Sequence, residues 1–123
     1  MPKILVADDC EDIRELLRIK LSQLGFEIVE ATNGVEAVQL TETANPDMVL
    51  MDMNMPAMDG WQACSYLRNG GNWTPIIATT AYGLPGDQAR AMQAGCNAVH
   101  IKPFRFDELR EQIEELLTTR PAR

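Results

Sequence analysis

What this chain has little of narrows its function before any motif is read. Its three cysteines, Cys10, Cys64 and Cys96, are far apart and form no CxxC pair, so the spacing signals neither a zinc site nor a redox dithiol. Odd, scattered thiols of this kind fit a reducing cytoplasm. No apolar run approaches the length of a membrane span, and the N-terminus MPKILVADD lacks the long apolar region and cleavage signal of a secretory peptide. Positive charge is scarce: 11 Lys and Arg against 18 Asp and Glu leave a net charge of −7. With no basic cluster to track a phosphate backbone, binding of nucleic acid or of an anionic membrane by this chain itself is not expected. The single histidine, His100, reads as a half-exposed residue on an edge strand. The chain also lacks repeats, low-complexity segments and any GxGxxG phosphate loop.

What remains is ordinary globular material. The chain has 123 residues, 46% of them hydrophobic and 24% charged, enough for one core and one domain. The expected core spans residues 3–117, with a frayed tail over 118–123. Within it one stretch stands out, MVLMDMNMPAMDG from Met48 to Gly60. Four consecutive apolar residues suit a strand buried on both faces, and the carboxylate of Asp52 at its end is costly unless it emerges in a crevice. Pro56 and Asp59-Gly60 then break the chain into a loop.

The rest of the chain alternates. Lys3 to Ala7 reads as a buried strand ending in Asp8-Asp9, followed by a helix from Glu11 to Leu24 with Ile13, Leu16, Leu17, Leu21 and Leu24 at helical spacing and Gly25 as its stop. Phe26 to Ala31 suits a second strand, and Asn33-Gly34-Val35-Glu36 resembles a capping box for a helix ending near Thr43. After the strand ending at Asp52 come a helix from Gly60 to Arg68, a strand from Pro75 to Thr79, a short helix from Asp87 to Ala94 with a weak apolar face, and a strand from Ala98 to Ile101. Lys102-Pro103-Phe104 turns the chain into a last helix with Phe106, Leu109, Ile113, Leu116 and Leu117 on one face. Trp61 and Trp73 are expected to pack, and Met55 and Met58 to be exposed in the loop.

Five strand and helix pairs in strict alternation predict an α/β domain, a doubly wound five-stranded parallel sheet covered on both faces. All strand carboxyl ends then meet at one edge, which gathers Asp8, Asp9, Asp52, Thr79 or Thr80, and Lys102. Carboxylates held together resist ionisation unless a cation compensates. All-oxygen ligands favour Mg²⁺, which also binds phosphate. Lys102 adds a point charge, a threonine hydroxyl can donate to a phosphoryl oxygen, and Asp52 is placed to attack phosphorus. The cluster suits phosphoryl transfer.

Asp8-Asp9 after a strand, MDMNMPAMDG, TTAYG and IKPF, with their spacings, resemble the receiver domain of two-component response regulators over about Lys3 to Leu117. The resemblance implies a flavodoxin-like (βα)5 fold with strand order 2-1-3-4-5. It implies Asp52 as phosphoacceptor, Asp9 and the backbone carbonyl of Asn54 as direct Mg²⁺ ligands, Asp8 assisting, Lys102 binding the phosphoryl group, and Thr80 as the switch hydroxyl. A cis Lys102-Pro103 bond is implied too. Where receivers commonly carry an aromatic three residues before the lysine, this chain has Val99, so no aromatic toggle is expected there. Asn54 and Tyr82 resemble the family's tuning positions for loss of the phosphoryl group.

The resemblance further implies a protein that is no enzyme beyond its own phosphorylation and dephosphorylation. A histidine kinase or histidine phosphotransfer protein would supply the phosphoryl group. A downstream protein target would dock on the face of the fourth helix, fifth strand and fifth helix, where Arg90, Gln93, His100 and Arg110 are candidates. A stand-alone regulator, monomeric when unphosphorylated, is the expected form, with a relay intermediate or a receiver derived from a hybrid kinase as variants. The rival is a haloacid dehalogenase-type phosphohydrolase, whose DxD pattern needs an acid where this chain has Asn54.

Overall fold

The computed structural model describes residues 1–81 and 83–119; the readings made for Tyr82 and for residues 120–123 lie outside them. Ten elements alternate without interruption: β1 (Lys3–Ala7), α1 (Glu11–Gln23), β2 (Glu27–Ala31), α2 (Gly34–Ala44), β3 (Met48–Asp52), α3 (Gly60–Asn69), β4 (Ile76–Thr80), α4 (Asp87–Ala94), β5 (Ala98–Ile101) and α5 (Phe106–Thr119). The strands pair in parallel in the order β2-β1-β3-β4-β5, as expected of a doubly wound, flavodoxin-like sheet. The order reverses between β1 and β3, and that reversal opens a crevice at the carboxyl edge.

Side-chain alternation along each strand builds two cores. Leu5 and Ala7 of β1 and Val49 and Met51 of β3 pack toward α2, α3 and α4, with Ala37, Val38, Ala63 and Ala91. Ile4, Val6, Met48 and Leu50 pack toward α1 and α5, against Leu17, Leu21, Leu109 and Ile113. Every residue of β3 is buried, and each of its large apolar side chains contributes about 1.5–3 kcal/mol by leaving water. That surplus lets the strand end on a charged residue.

Several local expectations need correction. Leu16 and Leu24 do not join the inner face of α1; they are exposed, because only the i, i+4 row through Ile13, Leu17 and Leu21 faces the sheet. Asn33 caps α2 by accepting the Glu36 N–H at 2.9 Å, but Glu36 turns to the Thr32 backbone N–H at 2.7 Å instead of completing a box. The full box sits at α3, where Asp59 and Gln62 exchange bonds of 2.9 and 3.1 Å. Asp59-Gly60-Trp61-Gln62 carries that signal in the sequence. Trp61 is buried, whereas Trp73 is exposed and lies against the Arg68 guanidinium at 5.4 Å. Met55 is buried and Met58 half-buried, because the loop after β3 folds back onto α2. β4 extends one residue further than expected, to Thr80, and α5 continues through Thr119.

Candidate functional site

Register brings the site together. Ala7 pairs with Met51, so Asp8, one residue on, stands beside Asp52. Asp52 pairs with Thr79 and Thr80 with Ile101, so Lys102 follows Thr80 at the same edge. Lys102 is fixed there by its own backbone N–H, which donates to the Thr80 carbonyl at 2.7 Å, and the Lys102-Pro103 bond is cis.

Asp8 and Asp52 are nearly sealed, at 3% and 4% exposure, while Asp9 faces solvent. Each buried acid has a backbone donor two residues on: Cys10 N–H to Asp8 Oδ1 at 2.9 Å and Asn54 N–H to Asp52 Oδ1 at 3.0 Å. The Lys102 ammonium bridges them, 2.8 Å from Asp8 Oδ2 and 3.4 Å from Asp52 Oδ2. The Thr80 hydroxyl, also buried, donates to the Asn54 side-chain oxygen at 3.3 Å. All six residues expected at the site therefore converge: Asp8, Asp9, Asp52, Asn54, Thr80 and Lys102. Thr79 lies one residue earlier in the strand.

Electrostatics follow from burial and neighbours. Desolvation pushes the Asp52 carboxyl above the usual aspartate range, against the pull of the Asn54 N–H; the Asp8 charge pushes the same way, and Lys102 opposes both. Burial works to lower Lys102, but its bond to Asp8 and the charges of Asp8 and Asp52 outweigh it and hold the ammonium above the usual lysine value. A carboxylate held more basic than an exposed aspartate is, in its ionised form, the better nucleophile. One oxygen each from Asp8, Asp9 and Asp52 lie within 4.8 Å of one another. Three acids facing one lysine leave a deficit of positive charge, and all-oxygen donors fit a hard divalent cation such as Mg²⁺.

The raised Asp52 value has a sign for stability. A carboxyl whose folded value exceeds its unfolded value is destabilising at neutral pH, and the penalty disappears as pH falls below the unfolded value. Asp52→Asn is therefore expected to raise the urea midpoint of the magnesium-free protein at pH 7, with the gain vanishing near pH 3.5, roughly the unfolded aspartate range. An equal gain at both pH values would show that the charge is not its source.

The loop carrying Asn54 is held by close backbone approach. Gly34 N–H donates to the Met58 carbonyl at 2.9 Å, and Gly60 N–H to the Met53 carbonyl at 3.1 Å. The sequence places Gly34 in a capping segment and Gly60 at a turn, but only the fold shows the distant backbone that lies against each of them. Val99 faces the core on the α3 and α4 side. Among the described residues it borders, with Thr80, Gly83, Leu84 and Ile101, a hollow of about 230 Å³. On the expected docking face Arg90, Gln93 and Arg110 are exposed and His100 is half-buried. Arg90 lies over the Trp61 ring at 4.4 Å, and Arg110 pairs with Glu114 at 3.1 Å.

Comparison with known proteins agrees with this geometry. A family model described as the response regulator receiver domain matches residues 4–114. A probable transcriptional regulator, ycf27, of Cyanophora paradoxa is 38% identical over 94% of this chain and 48% of its own length. Response regulator MprA of Mycobacterium sp. (strain KMS) is 37% identical over 94% of the chain and 50% of its own length. The chain thus spans about half the length of the curated relatives it matches. Among solved structures, the receiver domain of Francisella response regulator 1452 superposes with a TM-score of 0.92 at 31% identity, covering 96% of this chain and 98% of that one. Response regulator TrrA of Thermotoga maritima, in complex with Mg(2+)-BeF, has a TM-score of 0.85 at 36% identity over 94% and 99%. The expectation that nucleic acid plays no part finds no support in relatives named as transcriptional regulators. No described helix is long and apolar enough to cross a membrane.

Proposed function

We propose, since this chain belongs to the response regulator receiver domain family, that Asp52 accepts a phosphoryl group from a histidine kinase or phosphotransfer protein. Phosphorylation would then change how the domain binds a downstream protein. The observation that carries this reading is the Lys102 ammonium set between two buried aspartates at a topological switch point. An Asp52 oxygen attacks phosphorus, the bond to the donor breaks, and an aspartyl-phosphate remains. The Asn54 N–H holds Oδ1 and so orients the carboxylate. Lys102 moves its charge from Asp8 and Asp52 toward the transferred oxygens, and the Thr80 hydroxyl exchanges the Asn54 side chain for the phosphoryl group. Asp9 and Asp8, with Asp52 and the Asn54 backbone carbonyl, would hold Mg²⁺, which when bound neutralises phosphoryl charge.

Signal leaves the site through the backbone. Val99 provides no ring to swing, and the Lys102 N–H is tied to the Thr80 carbonyl, so displacement of Thr80 pulls on the start of the β5–α5 turn and on the segment leading to α4. The binding face of α4, β5 and α5 changes as a result. The domain acts as no enzyme beyond forming and losing its own phosphoryl group, and it works in the cytoplasm. The haloacid dehalogenase reading is set aside because Asn54, in the position of its second acid, bonds Thr80 and can deliver no proton.

The test is incubation with Mg²⁺ and acetyl phosphate. Wild type is expected to gain one phosphoryl group, roughly 80 Da, and Asp52→Asn none. An equal gain in the variant would place the acceptor elsewhere, and steady release of inorganic phosphate from phosphate esters would restore the hydrolase.

A further inference from the structure

Cys64 and Cys96, separated by 32 positions in the chain, meet in the fold with their sulfur atoms 3.4 Å apart. No spacing rule marks them, because one lies in α3 and the other just after α4. Their meeting is enforced by the turn between α4 and β5. Gly95 takes φ +104, a conformation that favours glycine, and returns its N–H to Met92 at 3.0 Å while Cys96 N–H reaches Ala91 at 2.9 Å. Arg68 of α3 fastens the same turn, donating to the Gly95 carbonyl at 3.0 Å and to the Asn97 side chain at 3.1 Å.

We propose that Cys64 and Cys96 are a redox-modifiable dithiol that a peroxide closes to an intramolecular disulfide and a thiol reductant reopens. Closure needs the sulfurs to approach by about 1.3 Å, to the roughly 2.05 Å of a disulfide. Both side chains are buried, so the oxidant enters when α4 opens. That helix is suited to opening: it has eight residues and buries only Ala91. Opening also removes the Ala94 carbonyl, which at 3.2 Å accepts the Cys64 thiol proton.

The two thiols have different roles. The Cys96 S–H donates to Cys64, and this together with the Arg68 charge draws the Cys64 thiol below the usual value, while the same bond and burial push Cys96 up. The Cys64 thiolate attacks one peroxide oxygen, the O–O bond breaks, and hydroxide leaves to become water, so that Cys64 becomes a sulfenic acid. Cys96 then loses its proton and attacks the Cys64 sulfur; the S–O bond breaks and a second water departs. In sum two thiols and one peroxide give one disulfide and two waters. The bridge would join α3 to the end of α4, the helix that follows Thr80.

The test needs only the protein and hydrogen peroxide. After denaturation, untreated protein is expected to take three iodoacetamide adducts and peroxide-treated protein one, on Cys10, with a peptide map joining the Cys64 and Cys96 peptides. Dithiothreitol restores all three. Cys10→Ser should form the same bridge, and Cys96→Ser should leave Cys64 as a sulfenic acid that dimedone traps. Should Cys96→Ser fail to fold, the Cys10→Ser map decides alone. Retention of both adducts, oxidation to sulfinic acid with no joined peptide, or bridging only through Cys10 overturns the proposal.

Discussion

Lys102→Met is expected to slow phosphoryl incorporation from acetyl phosphate by about 10²–10³-fold, the usual effect of removing one charged donor from a transferred oxygen. Methionine retains an unbranched stem for the apolar wall of Ile13, Leu17, Pro103 and Phe104 but brings no charge. The ammonium it replaces lies 2.8 Å from Asp8 and 3.4 Å from Asp52, with 15% of the side chain exposed. Without it two nearly buried carboxylates face each other alone. Removing one member of a buried charge set costs about 3–5 kcal/mol, and the remaining exposure of this site places the effect near about 3 kcal/mol in magnesium-free buffer. Magnesium restores the missing charge, so it should raise the thermal midpoint of Lys102→Met more than that of wild type. Kinetics by intact mass, with melting in EDTA and in Mg²⁺, separates these effects. Incorporation within twofold of wild type would mean that Lys102 serves only as a counter-charge to Asp8 and Asp52.

The second large effect is expected at a residue with no chemistry. A Cβ added to Gly60 would lie 2.5 Å from the Asp52 carbonyl oxygen and 2.8 Å from the Met53 Cα, both backbone atoms that cannot swing aside. Gly60→Ala must therefore push the start of α3 off the end of β3, losing the Gly60 N–H bond to Met53 and shifting the chain that aims Asp52. Overpacking of this kind costs about 1–3 kcal/mol, and phosphoryl incorporation should fall with it. Gly70→Ala is the matched control: its φ is −83, and the nearest atoms to its Cβ are 3.5 and 3.6 Å away. It should be neutral or gain up to about 1 kcal/mol through the unfolded chain. Urea titration of both variants checks the contrast, and equal midpoints would show that the β3–α3 junction yields.

Much of the site was legible because covalent order and strand direction leave it little freedom. Asp8 and Asp52 each follow the last apolar residue of a short buried run, and Lys102 follows the more exposed β5, so parallel pairing alone brings them to one edge. Thr80 required more than pattern. Thr79 and Thr80 are both buried, and resemblance to the receiver pattern singled out the second, which the structure sets against Asn54. Helix faces were read less well in α1, where Leu16 has the spacing of a core residue but stands exposed. A helix of 13 residues with apolar side chains all along it offers more than one stripe, and only the sheet decides which is used.

By itself the sequence determined the alternation of elements, the parallel sheet and the acidic edge, because apolar periodicity and strand ends are local properties. Tertiary structure alone decided what depends on distant backbone and on burial. It set the place of the Lys102 charge between Asp8 and Asp52. It made the close approach of Gly60 to the Asp52 carbonyl matter, and it raised the Asp52 carboxyl through desolvation. It also brought Cys64 to Cys96, although their spacing signals no dithiol. The physical reason is common to all four: hydrophobic pattern specifies which face turns inward, whereas the atoms met there come from other segments and are fixed only when the segments pack.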